Sequence, residues 1–212
     1  MRIAVIGAGN MGTALARALD VAGHTVTVTA RNAAHAEKVA DEFDVAAAAS
    51  NREAVQDADL VVLAVPSKAV AAVVEDLDDL LGEVIVVDPT NPSGVDREEI
   101  LRGSGSLAEA ILLLAPDTRV VKAFNTIFAN RLNDPVVNGV PLDGFYAGDD
   151  PAAKRVVADL LAELGFHPID TGELHTARIL ELMAFLNIDL NLRHGWSWQS
   201  GWKLLGPTGW GE

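Results

Sequence analysis

The chain contains no cysteine. Disulfides, thiolate-bound metals and cysteine nucleophiles are therefore all excluded. Aromatic residues are sparse at 5%, with a single tyrosine, so the core has to be built from aliphatic side chains. Positive charge is scarce as well: 16 Lys and Arg stand against 30 Asp and Glu, a formal net charge of −14. A surface this acidic repels nucleic acid and anionic membranes, and neither is expected as a partner. It also repels a phosphorylated ligand at long range, so any phosphate site must be built locally from amides and a few basic groups. No apolar run is long; residues 60–66 and 111–115 stop far short of the roughly 20 needed to cross a bilayer. Patterning starts at Arg2 without a charged lead-in or cleavage region. No secretory signal and no membrane insertion are expected, and the cytoplasm is the default compartment.

What is present is a 212-residue chain, 50% hydrophobic and 22% charged, suited to one globular domain or one with a smaller appendage. Strand patterns alternate with helical ones, the signature of an α/β fold with a mostly parallel sheet. Strands are expected at 2–6, 25–29, 45–48, 60–65, 84–88, 120–124, 144–148 and 166–170. Helices are expected at 11–22, 33–42, just after Ser50, at 68–81, from 107 to about 114, and at 152–164. Ser50 with Glu53, and Ser106 with Glu109, have capping-box spacing. Residues 89–105 are rich in Pro, Gly, Ser and Asp and read mostly as loop. Residues 174–192 read as a long helix apolar on most faces, to be buried against the body or a second copy. All four tryptophans fall in residues 193–212.

The first strand runs into VIGAGNMG, which places Gly7, Gly9 and Gly12 in a G-x-G-x-x-G turn that opens a helix. In a strand–turn–helix–strand context this is a dinucleotide fingerprint. The first glycine allows the turn, the second admits pyrophosphate, and the third lets helix and strand pack closely. Gly7, Gly9, Asn10, Met11 and Gly12 are then the candidate phosphate grip, through amides at the positive helix end. The second strand ends TVTVTARN, with Ala30 where an NAD-selective site places an acid. Losing that carboxylate removes a repulsion, and Arg31 offers a donor fork to a 2′-phosphate with Asn32 beside it, which points to NADP(H). The alternative is that Arg31 stacks on adenine or is simply solvated. Val65, Pro66 and Ser67 end a central strand, where they either cover the dinucleotide or only pack the loop.

Taken together, VIGAGNMG, TARN, ADLVVLAVP, VVDPTNP, VVKAFNTI and GELHTARILE resemble the NADPH-dependent coenzyme F420 reductase family, almost to the end of the chain at SGWKLLGP. The architecture is also similar to the NADPH-binding domains of membrane ferric reductases. The resemblance implies a Rossmann-type doubly wound sheet over residues 1–135. Residues 136–212 would form a smaller C-terminal portion completing an acceptor pocket. It implies NADP(H) along the carboxyl edge of the sheet, with hydride passing directly between nicotinamide and a deazaflavin, coenzyme F420, or else a flavin. No catalytic acid, base or nucleophile is then expected, since the cofactors carry the chemistry. Ala123, Phe124, Asn125, Thr126 and Ile127 would line the meeting point of the rings, bordered by Thr90, Asn91 and Pro92. The segment departs from the family's pattern at Asn125, where members carry histidine, and at Phe128, where they carry proline. The alternatives are a flavin or ferric reductase-like enzyme and a non-catalytic NADP(H)-binding regulator. A carbonyl or imine reductase would need an acid at the substrate, and Lys122 is the nearby candidate; it should point away if Asn125 faces inward.

Five histidines (His24, His35, His167, His175, His194) show no metal-ligand spacing, and structural roles are expected for them. Arg178 and Glu181 lie three apart and could pair on one helix face. Trp196, Trp198 and Trp202 suit a core or subunit contact better than cofactor stacking. The apolar helix at 174–192 points to a homodimer.

Overall fold

The computed structural model describes residues 1–206, apart from the side chains of residues 95 and 96. The fourth tryptophan, Trp210, and the far end of the proposed C-terminal portion lie outside the described residues.

Alternating side chains along β1 (Arg2–Ile6) show how the sheet is built. Ile3 and Val5 join one core layer, while Ala4 and Ile6 join the other, the period-2 consequence of an extended chain buried on both faces. Around β1 the parallel strands are β2 (Thr25–Thr29), β3 (Ala46–Ala47), β4 (Leu60–Val62), β5 (Ile85–Asp88) and β6 (Arg119–Ala123). Two more extend the edge: β9 (Asp143–Gly148), antiparallel to β6, and β10 (His167–Asp170), parallel to β9. The order is β10-β9-β6-β5-β4-β1-β2-β3, a doubly wound sheet whose switch point lies between β1 and β4. Both expected portions of the chain thus share one continuous eight-stranded sheet.

The helices α1 (Asn10–Val21), α2 (Ala33–Glu42) and α7 (Pro151–Glu163) bury residues in one layer. The helices α3 (Asn51–Gln56), α4 (Ser67–Leu81) and α6 (Leu107–Leu114) do so in the other. Leu15 and Leu19 on α1 are fully buried, each worth about 1.5–3 kcal/mol of transfer free energy. The Ser106–Glu109 capping box forms in full. At α3 only half forms: Ser50 accepts from the Glu53 amide, but Glu53 accepts from Ala49 instead of Ser50.

Several expectations are corrected. Residues 89–105 are loop only at their ends, because α5 (Val95–Arg102) runs between Gly94 and a left-handed Gly103 and buries its Ile100. The loop before β9 contains a small hairpin, β7 (Val136–Val137) and β8 (Val140–Pro141). Its turn is Asn138–Gly139, both with positive φ, the dipeptide that favours a twisted two-residue connection. The strand expected at 60–65 ends at Val62 because the chain then folds back, with Ala64 donating to the Val62 carbonyl.

The long C-terminal helix α8 (Ala177–His194) follows a 3-10 turn at Leu174–Thr176. Its inward face is partly polar, with Glu181, Asn187 and Asn191 buried. Apolar Ile179, Leu186 and Leu192 face out, 56%, 51% and 64% exposed. Among the described residues no helix is long and apolar enough to cross a membrane.

Candidate active site

The three glycines occupy three different environments. Gly7 has φ +117°, and a Cβ there would sit 2.3 Å from the Ala64 carbonyl oxygen. A Cβ on Gly12 would lie 1.8 Å from the Gly7 oxygen. Around Gly9 nothing approaches within 4 Å. Gly7 and Gly12 are therefore closed by the protein itself, while Gly9 leaves open the approach a bound phosphate needs. Gly9 is the N-cap of α1 and provides no side-chain cap. The first-turn amides, from Asn10 and Met11 onward, face the same opening at the positive end of the helix.

At the neighbouring strand end Ile6 pairs with Thr29, which sets Arg31 just beyond the glycine turn. Arg31 is exposed, and no hydrogen bond or ion pair among the described residues engages it. Asn32 caps α2, its side-chain oxygen accepting from the Ala34 amide at 3.2 Å. Across the switch point Val65 packs against the glycine turn. Pro66 is the N-cap of α4, and the Ser67 hydroxyl meets that of Ser93 at 3.2 Å.

A cavity of about 110 Å³ opens where the chain leaves β6. Five of the expected residues meet there: Met11, Asn91, Asn125, Thr126 and Ile127. Ala123 and Phe124 do not line it; both are fully buried in the core beside α1 and α7. Phe124 instead turns the chain, holding φ +64°, a left-handed conformation that costs a bulky residue about 1–3 kcal/mol. Its carbonyl accepts from the Ile127 amide, and the turn carries Asn125–Thr126–Ile127 to the cavity wall. Asn91 and Asn125 bond reciprocally: the Asn91 amide donates to the Asn125 carbonyl at 2.8 Å, and the Asn125 amide to the Asn91 side-chain oxygen at 3.0 Å. The loop after β5 is thereby tied to the loop after β6. Thr90 faces away, donating its hydroxyl to Asp88 at 2.6 Å.

The remaining wall comes from Phe128 and Ala129 and from Ala184, Asn187 and Ile188 of α8. Phe128 was singled out as a departure from the family's pattern, and sequence reasoning missed the other four. The available signal was the pair Asn187 and Asn191, polar positions on a helix otherwise rich in Leu, Ile and Phe. Asn125 Oδ1, Thr126 Oγ1 and Asn187 Nδ2 are buried without a hydrogen-bond partner. An unsatisfied buried polar group costs about 1–3 kcal/mol. Three such groups at one cavity fit a ligand carrying both donors and acceptors.

Behind this wall lies an ionic cluster. Lys122 is fully buried and donates to Asp88 at 2.8 Å, the Thr90 carbonyl at 2.6 Å and Glu181 at 2.8 Å. Burial pushes the Lys122 ammonium down, but the charges of Asp88 and Glu181 outweigh it and hold the group above its ordinary value. Burial raises the Glu181 carboxyl, with Lys122 partly opposing. Lys122 is turned away from the cavity, as expected for an inward Asn125. The Arg178–Glu181 pair does not form: Glu181 belongs to Lys122, and Arg178 donates to the Ile100 carbonyl.

The tail closes over α8. Trp198 has φ +59°; it meets Phe128 edge-on at 5.5 Å and donates its amide to Asn191 at 3.2 Å. Trp202 packs with Phe145, Ala147 and Leu180, and Trp196 stacks on His194. No group of three or more potential metal ligands occurs among the described residues.

A doubly wound sheet with this glycine turn at its switch point defines a dinucleotide-binding protein of the Rossmann class. The family model described as NADP oxidoreductase, coenzyme F420-dependent, matches residues 2–92. The F420-dependent NADP reductase of Methanothermobacter thermautotrophicus is 34% identical, with 92% of this chain and 90% of that protein covered. The chain belongs to the family of F420-dependent NADP oxidoreductases. A crystal structure from Arthrobacter sp. FB24 superposes with a TM-score of 0.83 at 30% identity, covering 97% of this chain and 100% of that one. The metalloreductase STEAP3 of Rattus norvegicus is 31% identical over 85% of this chain but only 36% of its own length.

Proposed function

We propose that the protein is an NADP(H)-dependent oxidoreductase that transfers hydride between NADPH and the deazaflavin coenzyme F420. The observation that carries this reading is the cavity beside the glycine turn, where loops after β5 and β6 and the inward face of α8 present three unpartnered polar atoms. The family relationship identifies the two cofactors whose rings would meet there. When bound, NADPH supplies the hydride and the deazaflavin takes it up.

The protein's own groups bind and orient. Gly7, Gly9, Asn10, Met11 and Gly12 hold pyrophosphate through backbone amides. Arg31 and the free amide of Asn32 take the 2′-phosphate, and Val65, Pro66 and Ser67 cover the adenosine half. Asn91, Asn125, Thr126 and Ile127 frame the reacting rings, and Thr90, Ala123 and Phe124 support them from behind. Residues 136–212 complete the acceptor side through α8 and the tail. The proximity and alignment of two rings held this way provide the rate enhancement.

The test mixes purified protein with NADPH and either F420 or FMN and follows NADPH oxidation. Turnover with F420 is expected. Brisk turnover with FMN and none with F420 would move the assignment to flavin reduction. NADPH binding without turnover on any acceptor would make the protein a regulator. Neither alternative is favoured, because the metalloreductase likeness spans about a third of that protein, whereas the F420-dependent relative is matched over 92% of this chain and 90% of its own length.

The outward face of α8, with Leu113 of α6 82% exposed, supports a homodimer joined through that surface. Exposed apolar side chains such as these are what an interface between two copies would cover. The dimer would back the helix that walls the cavity.

A further inference from the structure

Proposed hydride transfer uses none of the atoms of the Lys122 cluster, yet the cluster joins β5, β6 and α8, whose residues or following loops wall most of the cavity. Lys122 on β6, Asp88 at the end of β5 and Glu181 on α8 are all fully buried. The three N–H donors of Lys122 are spent on Asp88 Oδ2, the Thr90 carbonyl and Glu181 Oε1. Asp88 is served on both oxygens, since Oδ1 also accepts from the Thr90 amide and hydroxyl. Glu181 is served on one: Oε1 accepts from Lys122 and, at 3.0 Å, from the Leu107 amide, while Oε2 has no partner.

One cation facing two ionised carboxylates would leave an uncompensated charge in a dry interior, which costs more than a hydrogen bond returns. The imbalance is relieved at the carboxyl with the empty oxygen. We propose that Lys122, Asp88 and Glu181 are positioning residues for the hydride-transfer cavity, with Glu181 un-ionised and its proton on Oε2. The positioning half of this rests on the oxidoreductase reading above; the proton assignment does not.

The connections are short. Lys122 holds Thr90, and the next residue, Asn91, is locked reciprocally to Asn125. Lys122 also holds Glu181, one helical turn before Ala184 and two before Asn187. A single ammonium therefore ties together the β5 loop, the β6 loop and α8. Each neighbouring element presents a defined group to Glu181. α6 offers the Leu107 amide, β5 the Asp88 charge and β6 the Lys122 charge, while Arg178 on α8 itself is turned to Ile100. Burial and the Asp88 charge raise the Glu181 carboxyl above its ordinary value, against the opposing pull of Lys122 and the Leu107 amide.

Two substitutions separate the roles. Glu181→Gln keeps an oxygen for Lys122 and Leu107 and mimics the neutral acid, so NADPH affinity and hydride-transfer rate should stay within about threefold of wild type. Glu181→Leu removes the acceptor and lets α8 drift. Its hydride-transfer rate should fall by about 100-fold while NADPH affinity stays within about threefold, because misplacement acts on the reacting geometry rather than on the phosphate grip. A wild-type rate in folded Glu181→Leu, or an equal loss in Glu181→Gln, overturns the positioning role. Infrared spectra at neutral pH decide the proton without activity and without the Leu variant. Wild type should show the carbonyl band of an un-ionised carboxylic acid that Glu181→Gln lacks; identical spectra in that region overturn the assignment. Absence of F420 turnover in the wild type would sink the functional reading alone, leaving the infrared result standing.

Discussion

Gly9 and Gly12 stand three residues apart in one turn and answer to different demands. Gly12→Ala would drive a Cβ to 1.8 Å from the Gly7 carbonyl, so the turn must rebuild; we expect a lowered melting temperature together with lost NADPH binding. Gly9→Ala meets nothing in the protein. It should melt close to wild type yet bind NADPH at least about tenfold more weakly, because the added methyl occupies the phosphate approach. Thermal denaturation and NADPH fluorescence titration of the two variants read the contrast. Arg31 supports a separate prediction. Arg31→Ala should weaken NADPH by roughly 10- to 100-fold, the worth of charged hydrogen bonds, and leave NADH nearly unchanged; equal losses for both cofactors would remove the 2′-phosphate role. At this scale the glycine turn was legible because its spacing demands the close approaches found at Gly7 and Gly12, while the role of the Ala30–Arg31–Asn32 corner is what Arg31→Ala tests. Phe124 and Asn187 were not. Nothing in VVKAFNTI says that Phe124 adopts a left-handed turn and buries itself so that only the residues after it reach the cavity. Asn187 reads as a break in an apolar helix until tertiary packing shows Glu181, Asn187 and Asn191 facing inward beside Leu180, Ala184 and Phe185, with Ile179, Leu186 and Leu192 facing out.

Among the elements, strands and helices with strong periodicity lie where the pattern puts them, as at β2, α2 and α7. The helix α5 was hidden because punctuating Pro, Gly and Ser residues surround it and little of it is buried. The strand β9 was expected at 144–148, but its antiparallel direction was not legible, because direction follows from the connection between strands rather than from the residues within one. The tail is held by one buried carboxylate. Asp143 accepts from Lys203 at 2.8 Å, from the Leu204 amide at 2.5 Å, and pairs with His167 at 2.9 Å. Burial raises the Asp143 carboxyl, but these donors outweigh it and hold it below its ordinary value. A carboxyl depressed in the folded state gives stability that is present above its unfolded value, about 3.9, and lost as pH falls through the lower folded value. The clasp should therefore hold across neutral pH and release only in strong acid. Asp143→Asn should release it at neutral pH, seen as faster hydrogen exchange across residues 201–206 with the central strands still protected.

For the whole molecule, a net charge of −14 gives a surface field that opposes a polyanionic cofactor, so the proposed site would have to draw it in by local amides and Arg31. Affinity for NADPH should therefore depend on that one corner. The exposed apolar side of α8 gives the molecule a second surface to satisfy. Leu186→Glu places a charge in the centre of that face and should convert a dimer to a monomer in light scattering; a monomeric wild type would remove the dimer proposal. In the proposed dimer, α8 would wall the cavity with one face and meet a second copy with the other. The central claim is that two rings meet at the Asn91–Asn125 wall and exchange hydride directly. The most direct measurement uses NADPH deuterated at the transferable C4 position, mixed with F420 and the protein in ordinary water. The account predicts reduced F420 carrying that deuterium at C5, one for each NADPH oxidised. Reduced F420 without the label, or NADPH oxidised by FMN while F420 is left untouched, would contradict it.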